Sequence, residues 1–211
     1  MTKTLHDALT SRLVPVAVID DAVHAAPLVD ALKRGGLASI EITLRTSAAL
    51  EAISIAASEA DFCVGAGTVL TVEQVDAAVE AGAGFIVAPG FDSKVVRHCL
   101  DKGVEVIPGV CTPSEVQAAM GLGLKLLKFF PAEAMGGPKL LKALGSVYRE
   151  VRFMPTGGIS SANLNDYLKL GNVAACGGSW MVKKDLMAAG DWETITRLTR
   201  EAVACAEGSG A

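Results

Sequence analysis

The stretch LGLKLLKFFPAE (residues 122–133) contains the pattern that decides the fold: a glycine, a short apolar run and a proline that ends the run. A strand buried on both faces of a parallel sheet reads as a nearly continuous apolar run. Glycine fits the left-handed position just past the end of a helix. The same entry recurs in GGLASIEI (35–42), AGAGFIV (81–87) and KGVEVI (102–107). We therefore predict a repeated unit in which a helix ends at a glycine and a buried strand follows.

Strands and helices alternate along the whole chain. The pattern predicts eight strands, at 13–19, 38–44, 62–66, 84–88, 104–107, 125–129, 151–154 and 173–176. Helical segments are predicted near 22–34, 47–59, 71–81, 92–102, 113–121, 138–145, 160–169 and 191–206. Eight such units in 211 residues predict an α/β fold, a (β/α)8 TIM barrel forming a single domain over 1–211, with a disordered tail at 207–211. An open doubly wound sheet is the alternative, but no GxGxxG motif follows the first strand.

Composition excludes several classes of protein. The net charge of -4 gives no overall basic surface for nucleic acid. No apolar run is long enough to cross a membrane, and the N-terminus lacks the pattern of a signal peptide. We therefore expect a soluble cytoplasmic protein that binds neither nucleic acid nor membrane. The five cysteines form no CxxC pair and the three histidines have no ligand spacing, so we expect neither a disulfide framework nor a metal site.

The second predicted strand carries polar residues on one face. Ser39, Glu41, Thr43 and Arg45 alternate with Ile40, Ile42 and Leu44, and alternate residues of a strand point to opposite faces. An edge strand with a polar outer face would explain the pattern, but a closed barrel has no edge. In a barrel, the apolar set lies under the helices and the polar set faces the lumen. Glu41 is therefore a candidate functional residue.

The same alternation separates two lysines of the sixth strand. Lys125 begins the strand, where the base of a barrel meets water. Lys128 lies near the strand's end and faces the lumen, on the side where barrel enzymes have their active sites. Partial desolvation favours a neutral amine, and such an amine forms a Schiff base with a carbonyl compound. From the strand pattern alone, an ion pair between Lys128 and Glu41 is an equal alternative.

Glycine-rich turns follow three strands. PTGGIS (155–160) and GGSW (177–180) follow the seventh and eighth strands, and the corresponding loops of barrel enzymes frequently bind phosphate. GAGT (65–68) lacks the lysine of a nucleotide-binding P-loop. We interpret it as a tight turn that presents Thr68.

Seven motifs, in order along nearly the whole chain, carry a family resemblance: IEITLRT (40–46), VGAGTVL (64–70), APGF (88–91), IPGVCTPSE (107–115), LKFFPAE (127–133), PTGGIS and GGSW. Together they resemble the 2-keto-3-deoxy-6-phosphogluconate (KDPG) aldolases, which also act as 4-hydroxy-2-oxoglutarate (KHG) aldolases. The resemblance implies a class I aldolase, usually a homotrimer, of the Entner–Doudoroff pathway. The implied reactions split KDPG into pyruvate and glyceraldehyde 3-phosphate, and KHG into pyruvate and glyoxylate.

The resemblance also implies roles for individual residues. Lys128 corresponds to the lysine that forms the Schiff base and Glu41 to the acid–base glutamate. The other correspondences are Arg45 and Thr68 at the pyruvate carboxylate, Pro89 and Phe130 as pocket walls, and Gly157, Gly158, Gly178 and Ser179 at the phosphate. No cofactor is implied, because an iminium serves as the electron sink that a metal provides in class II aldolases.

One position departs from the family pattern. Some members carry an arginine near the end of the first strand, on the phosphate side, and this sequence has Val18 there. Either backbone amides alone hold the phosphate, or a lysine such as Lys183 or Lys184 assists.

Three other functions compete with this interpretation. The first is an aldolase for 2-dehydro-3-deoxy-6-phosphogalactonate, a substrate with the opposite C4 configuration. The second is a phosphate-binding barrel of another enzyme class, which would keep both glycine turns without needing Lys128. The third is a catalytically silent binding barrel, which the combination of Glu41 and Lys128 disfavours.

Overall fold

The structure, a computed structural model, describes residues 4–208 and has an α/β architecture. The strands in this range are β1 (Leu13–Ala17), β2 (Ser39–Thr43), β3 (Cys63–Gly67), β4 (Phe85–Val87), β5 (Glu105–Ile107), β6 (Gly109–Val110), β7 (Leu126–Phe129), β8 (Arg152–Pro155) and β9 (Cys176–Gly178). The helices are α1 (Leu5–Thr10), α2 (Ala25–Arg34), α3 (Ala49–Ala57), α4 (Val72–Glu80), α5 (Ser93–Asp101), α6 (Pro113–Met120), α7 (Gly137–Val147), α8 (Leu164–Leu168), α9 (Lys184–Ala188) and α10 (Trp192–Glu207). A short 3-10 turn, Ala22–His24, precedes α2.

Every pair of neighbouring strands is parallel. One sheet has six strands in the order β5-β4-β3-β2-β1-β9, and the other has the order β6-β7-β8. Pro108 separates β5 from β6, and its carbonyl accepts a hydrogen bond from the Lys128 amide at 2.9 Å. Two single bridges, Phe153 to Val173 and Thr156 to Gly177, join β8 to the segment around β9. The α/β class and the parallel strand order agree with the sequence prediction.

The predicted elements are present with small shifts at their ends. All eight predicted strands occur, although the last is β9 at Cys176–Gly178 and Val173 contributes only a bridge. The predicted helix at 160–169 is shorter, Leu164–Leu168. The predicted tail began at residue 207, but α10 includes Glu207; residues 209–211 of that tail lie outside the described range. Within 4–208, no helix is long and apolar enough to span a membrane.

Side chains at the starts of α4, α5 and α6 explain why these three helices begin where predicted. Thr112 and Glu115 form a capping box at α6, in which each side chain accepts from the other residue's backbone amide. Asp92 accepts from the Lys94 amide at 2.7 Å at the start of α5. Thr71 accepts from the Gln74 amide at 3.3 Å at the start of α4. These bonds satisfy amides that have no partner within the helix.

The buried side chains form two apolar layers, one on each side of the strands. Ile40 and Ile42 of β2 lie with Leu127 and Phe129 of β7 in the layer beneath the helices. The other layer lies on the opposite face and contains Val14, Phe85, Ile107 and Met154, with Leu5 of α1 packed among them. The alternation predicted for the second and sixth strands is therefore confirmed.

Candidate active site

Glu41 and Lys128 form a buried ion pair between β2 and β7. The Lys128 Nζ lies 3.2 Å from Glu41 Oε1, and the two side chains are 6% and 0% exposed, respectively. The other lysine of the strand, Lys125, is 74% exposed and lies 4.0 Å from Glu150. The predicted separation of the two lysines is therefore confirmed. Burying two charges is costly unless they are paired and hydrogen-bonded. Each residue therefore compensates the buried charge of the other, and the pair connects β2 to β7.

The surroundings of the pair leave one carboxylate oxygen available. Among the described residues, Glu41 Oε2 has no hydrogen-bond partner although it is buried. Lys128 Nζ lies 5.3 Å from the centre of the Phe130 ring, within the range of a cation–π contact. The Glu41 side chain also lies against Gly67 of β3, where an added Cβ would stand 2.1 Å from Oε1. Only glycine fits at that position without moving the carboxylate.

A cavity of about 290 Å³ surrounds this pair at the carboxyl ends of the strands. This volume lies near the lower end of the range found for small-molecule pockets. All ten residues selected from the sequence line it: Glu41, Arg45, Thr68, Pro89, Lys128, Phe130, Gly157, Gly158, Gly178 and Ser179. Three of them lie in strands β2, β7 and β9, and the other seven lie in loops that follow strands. The structure thus brings together residues that are up to 138 positions apart, from Glu41 to Ser179.

Five further residues line the cavity and were not selected from the sequence: Val16, Thr43, Thr156, Ile159 and Gly177. Thr156 is 7% exposed, and its hydroxyl has no hydrogen-bond partner among the described residues. It follows β8 with the same parity as Met154, which faces the inner layer. That parity was a signal in the sequence that Thr156 faces the site. The prediction for PTGGIS rested instead on the neighbouring glycine pair.

Thr43 links the interior of the site to its mouth. The Thr43 hydroxyl donates to the Ala17 carbonyl at 3.1 Å and accepts from Arg45 Nε at 3.2 Å. Arg45 itself is exposed, so a buried threonine orients a guanidinium that reaches the cavity from the solvent side. A guanidinium in this position can bind a carboxylate with two parallel hydrogen bonds.

Thr68 has an unusual backbone conformation, with φ of 59°. A β-branched residue in the left-handed region is strained, and strained residues concentrate at functional sites. The predicted tight turn after β3 is present, and it directs Thr68 into the cavity.

Neither lysine suggested for the phosphate end lines the cavity. Lys184 forms an ion pair with Asp20 at 2.8 Å beside Val18, in a separate small pocket. Of the two alternatives, the geometry therefore favours backbone amides of the glycine turns.

The cysteines and other metal-binding side chains are dispersed. None of the five cysteines, which all lie within residues 4–208, forms a disulfide. Between residues 4 and 208, no group of three or more His, Cys, Asp or Glu side chains is arranged to hold a metal ion.

Comparison with known protein families agrees with this geometry. The family model described as KDPG and KHG aldolase matches residues 6–198. The chain belongs to the KDPG and KHG aldolase family. The family identified from the sequence motifs is thus confirmed, and with it the class of enzyme, an aldolase among the lyases.

Individual members of the family are similar to this chain over nearly their whole length. The KHG/KDPG aldolase of Escherichia coli K12 is 47% identical over 195 residues, which cover 92% of each chain. A Legionella pneumophila KDPG aldolase, solved with pyruvate captured as a covalent carbinolamine, superposes with a TM-score of 0.90 at 40% identity, covering 93% of this chain and 96% of that one. The Zymomonas mobilis ZM4 KDPG aldolase, solved with 3-phosphoglycerate, has a TM-score of 0.88 at 42% identity, covering 95% and 94%.

Proposed function

We propose that this chain is a class I aldolase that cleaves KDPG to pyruvate and glyceraldehyde 3-phosphate, and KHG to pyruvate and glyoxylate. The observation that carries the proposal is the buried Lys128–Glu41 pair, 3.2 Å apart, within a cavity lined by every residue that the motifs selected. The covalent pyruvate adduct of the Legionella relative supports a Schiff-base mechanism. The 3-phosphoglycerate of the Zymomonas relative supports a phosphorylated substrate.

The first step forms the imine. Glu41 takes a proton from the Lys128 ammonium, and the neutral amine attacks the C2 ketone of the substrate. The carbinolamine then loses water, with Glu41 returning the proton to the leaving hydroxyl. A single carboxylate beside the amine suits both transfers, because general acid–base catalysis needs a group within hydrogen-bond reach of the proton.

The second step breaks the carbon–carbon bond. Glu41 takes the proton of the C4 hydroxyl, the C3–C4 electrons move into the iminium, and the aldehyde leaves. The enamine of pyruvate that remains is protonated at C3, and water then hydrolyses the resulting imine to release pyruvate and regenerate Lys128. The iminium stores the electron pair of the broken bond, so the mechanism requires no cofactor.

Binding of the two substrate ends fixes the reacting carbon. Arg45 and Thr68 hold the carboxylate next to C2, while the turns at Gly157–Gly158 and Gly178–Ser179 hold the phosphate at the far end. Pro89 and Phe130 form apolar walls between them. Holding both ends places C2 against the amine, and orientation of this kind supplies a large part of an enzyme's rate enhancement.

The assembly is proposed at two levels. We propose that the two sheets close into one (β/α)8 barrel, because bridges join β8 to β9 and only Pro108 separates β5 from β6.

We also propose a cytoplasmic homotrimer, as the family resemblance implies. Light scattering would then give a mass of about three times the 21.7 kDa of one chain; a monomer's mass would contradict the trimer.

Trapping the imine tests the proposal directly. Incubation with pyruvate and borohydride should add a reduced pyruvyl group to Lys128, located by peptide mass spectrometry. Lys128→Ala should abolish the label, while the matched control Lys125→Ala should keep it. Glu41→Gln should lose turnover yet retain some imine, and activity should survive EDTA. A label on another residue, or none, would overturn the mechanism.

Substrate comparison tests the specificity. Cleavage rates for KDPG, its C4 epimer and KHG should rank KDPG well above the epimer. Faster cleavage of the epimer would instead assign the chain to the phosphogalactonate reaction.

A further inference from the structure

Two loops meet behind the turn at Gly157–Gly158. The loop after β7 donates two backbone hydrogen bonds to the loop after β8. The Ala132 amide bonds to the Thr156 carbonyl at 2.9 Å, and the Glu133 amide bonds to the Gly157 carbonyl at 3.1 Å. The conformation of the glycine turn therefore depends on the position of the segment containing Glu133.

The side chain of Glu133 also lies directly against Gly158. A Cβ added at Gly158 would stand 2.5 Å from Glu133 Cγ, and the φ of Gly158 is +81°. Glu133 thus occupies the space that a side chain at residue 158 would take. It does not line the cavity itself.

Tyr167 fixes the carboxylate of Glu133. It lies on α8, is fully buried, and donates its hydroxyl to Glu133 Oε1. Burial, followed by the bond to Glu133, raises the pKa of the Tyr167 hydroxyl, so the group remains a proton donor at neutral pH. On the other side of the turn, Asn163 Nδ2 donates to the Gly158 carbonyl at 3.0 Å. The turn is therefore held from both sides.

We propose that Tyr167 and Glu133 are positioning residues for the phosphate end of the active site. Through the hydrogen bond between them, they hold the Gly157–Gly158 turn in the conformation that binds the phosphate of the substrate. This inference rests on the proposed function, because it assumes that the turn binds phosphate. It predicts that the pair affects phosphorylated substrates and leaves chemistry at Lys128 unchanged.

The negative charge of Glu133 opposes the binding of a phosphate beside it. Two substitutions of Glu133 should therefore affect the binding of KDPG differently. Glutamine at residue 133 keeps an oxygen that can accept from Tyr167 and removes the negative charge that opposes the phosphate. Glu133→Gln should therefore bind KDPG as well as the wild type or better. Glu133→Ala, which loses the acceptor as well, should bind KDPG more weakly.

The test compares KDPG with KHG, which has no phosphate. Tyr167→Phe and Glu133→Ala should each raise KM for KDPG about five-fold or more, as expected when anion-binding amides move off their optimum, with kcat and both KHG constants nearly unchanged. Glu133→Gln should preserve the wild-type KM. The matched control is Tyr148→Phe, which removes the other tyrosine hydroxyl, bonded to the Pro113 carbonyl.

Two outcomes would overturn the positioning role: no change in KM for KDPG in Glu133→Ala, or equal losses with both substrates. Glu133 is exposed, so its replacement is compatible with folding even if Tyr167→Phe is not. A wild-type chain that cleaves neither substrate and forms no pyruvate adduct would instead overturn the proposed function.

Discussion

Gly67 positions the carboxylate of Glu41 by having no side chain. Replacing it with alanine would put a methyl group 2.1 Å from Glu41 Oε1, so the carboxylate must leave its position 3.2 Å from Lys128 Nζ. We expect Gly67→Ala to lower kcat/KM by roughly 100-fold, the scale of loss from a displacement of about 1 Å in a catalytic group. Steady-state kinetics with KDPG would measure this.

Gly84→Ala provides the control for that substitution. An added Cβ there would lie 3.7 Å from its nearest neighbour, the Val64 carbonyl oxygen, which is an ordinary contact. It should leave kcat/KM within about two-fold of the wild type, in keeping with a small added group that fits. Equal activity of the two variants would show that Gly67 has no role in placing Glu41.

Thr156 lines the cavity, and its buried hydroxyl has no partner among residues 4–208. A buried polar group without a hydrogen bond destabilises the fold by about 1–3 kcal/mol, and a substrate hydroxyl or carbonyl in the cavity would supply the missing bond. Thr156→Val keeps the shape, so we expect unchanged or higher stability in urea together with a kcat/KM at least about ten-fold lower.

Ser39 provides the control for the predicted loss of kcat/KM in Thr156→Val. Its hydroxyl is also buried and without a partner among the described residues, but it lies outside the cavity. Ser39→Ala should therefore leave kcat/KM unchanged. If Thr156→Val retained full activity, Thr156 would not contact the substrate.

At the level of whole elements, α1 closes the inner apolar layer at the amino-terminal end of the strands. Leu5 is 5% exposed and packs with Val14, Phe85 and Met154. Leu5→Ala should lower the free energy of unfolding by about 2–3 kcal/mol through the cavity it leaves. Because Leu5 does not line the cavity, kcat should not change.

Urea denaturation and kinetics together test this expectation. Leu100→Ala is the matched control, since Leu100 is 44% exposed and surface substitutions usually change stability by about 0.5 kcal/mol or less. A loss of kcat in Leu5→Ala would mean that α1 also supports the site.

The elements that the sequence predicted are those whose pattern is set by burial on both faces. Strands such as β2 and β7 have this pattern, and α4, α5 and α6 between them begin at side-chain caps. Three elements were missed because they carry little local signal: α1 and α9 are short, and β6 is only Gly109–Val110 beyond a proline. The candidate site residues were selected from strand parity and from the family motifs. The parity that Thr156 shares with Met154 was a local signal for it, but the lack of a partner for its hydroxyl is a tertiary fact that no local pattern contains.

At the scale of the whole molecule, the cysteines report how the chain is packed. Cys63, Cys99 and Cys176 are buried, and only Cys111 and Cys205 are partly accessible. Burial raises the pKa of the Cys99 thiol to about 11 and that of Cys176 to about 12. Both therefore stay protonated at pH 8, and the thiolate is the reactive form.

We therefore expect Ellman's reagent at pH 8 to modify no more than the two partly accessible thiols of the native protein and all five after denaturation. Raising the pH toward 10 should not recruit Cys99 or Cys176 while the fold persists. Rapid reaction of more than two thiols in the native state would contradict the packing described for the core.

The cavity draws its lining from residue 16 to residue 179, and this has a consequence for how the protein can be studied during its synthesis. Lys128 has no carboxylate beside it until β2 and β7 occupy one structure, and the far wall is absent until β9 is added. A ribosome-bound fragment that ends before β9 therefore carries the lysine but not the site. Pyruvate and borohydride would mark only completed molecules, so the same chemistry that tests the mechanism would count native chains in a refolding or translation mixture.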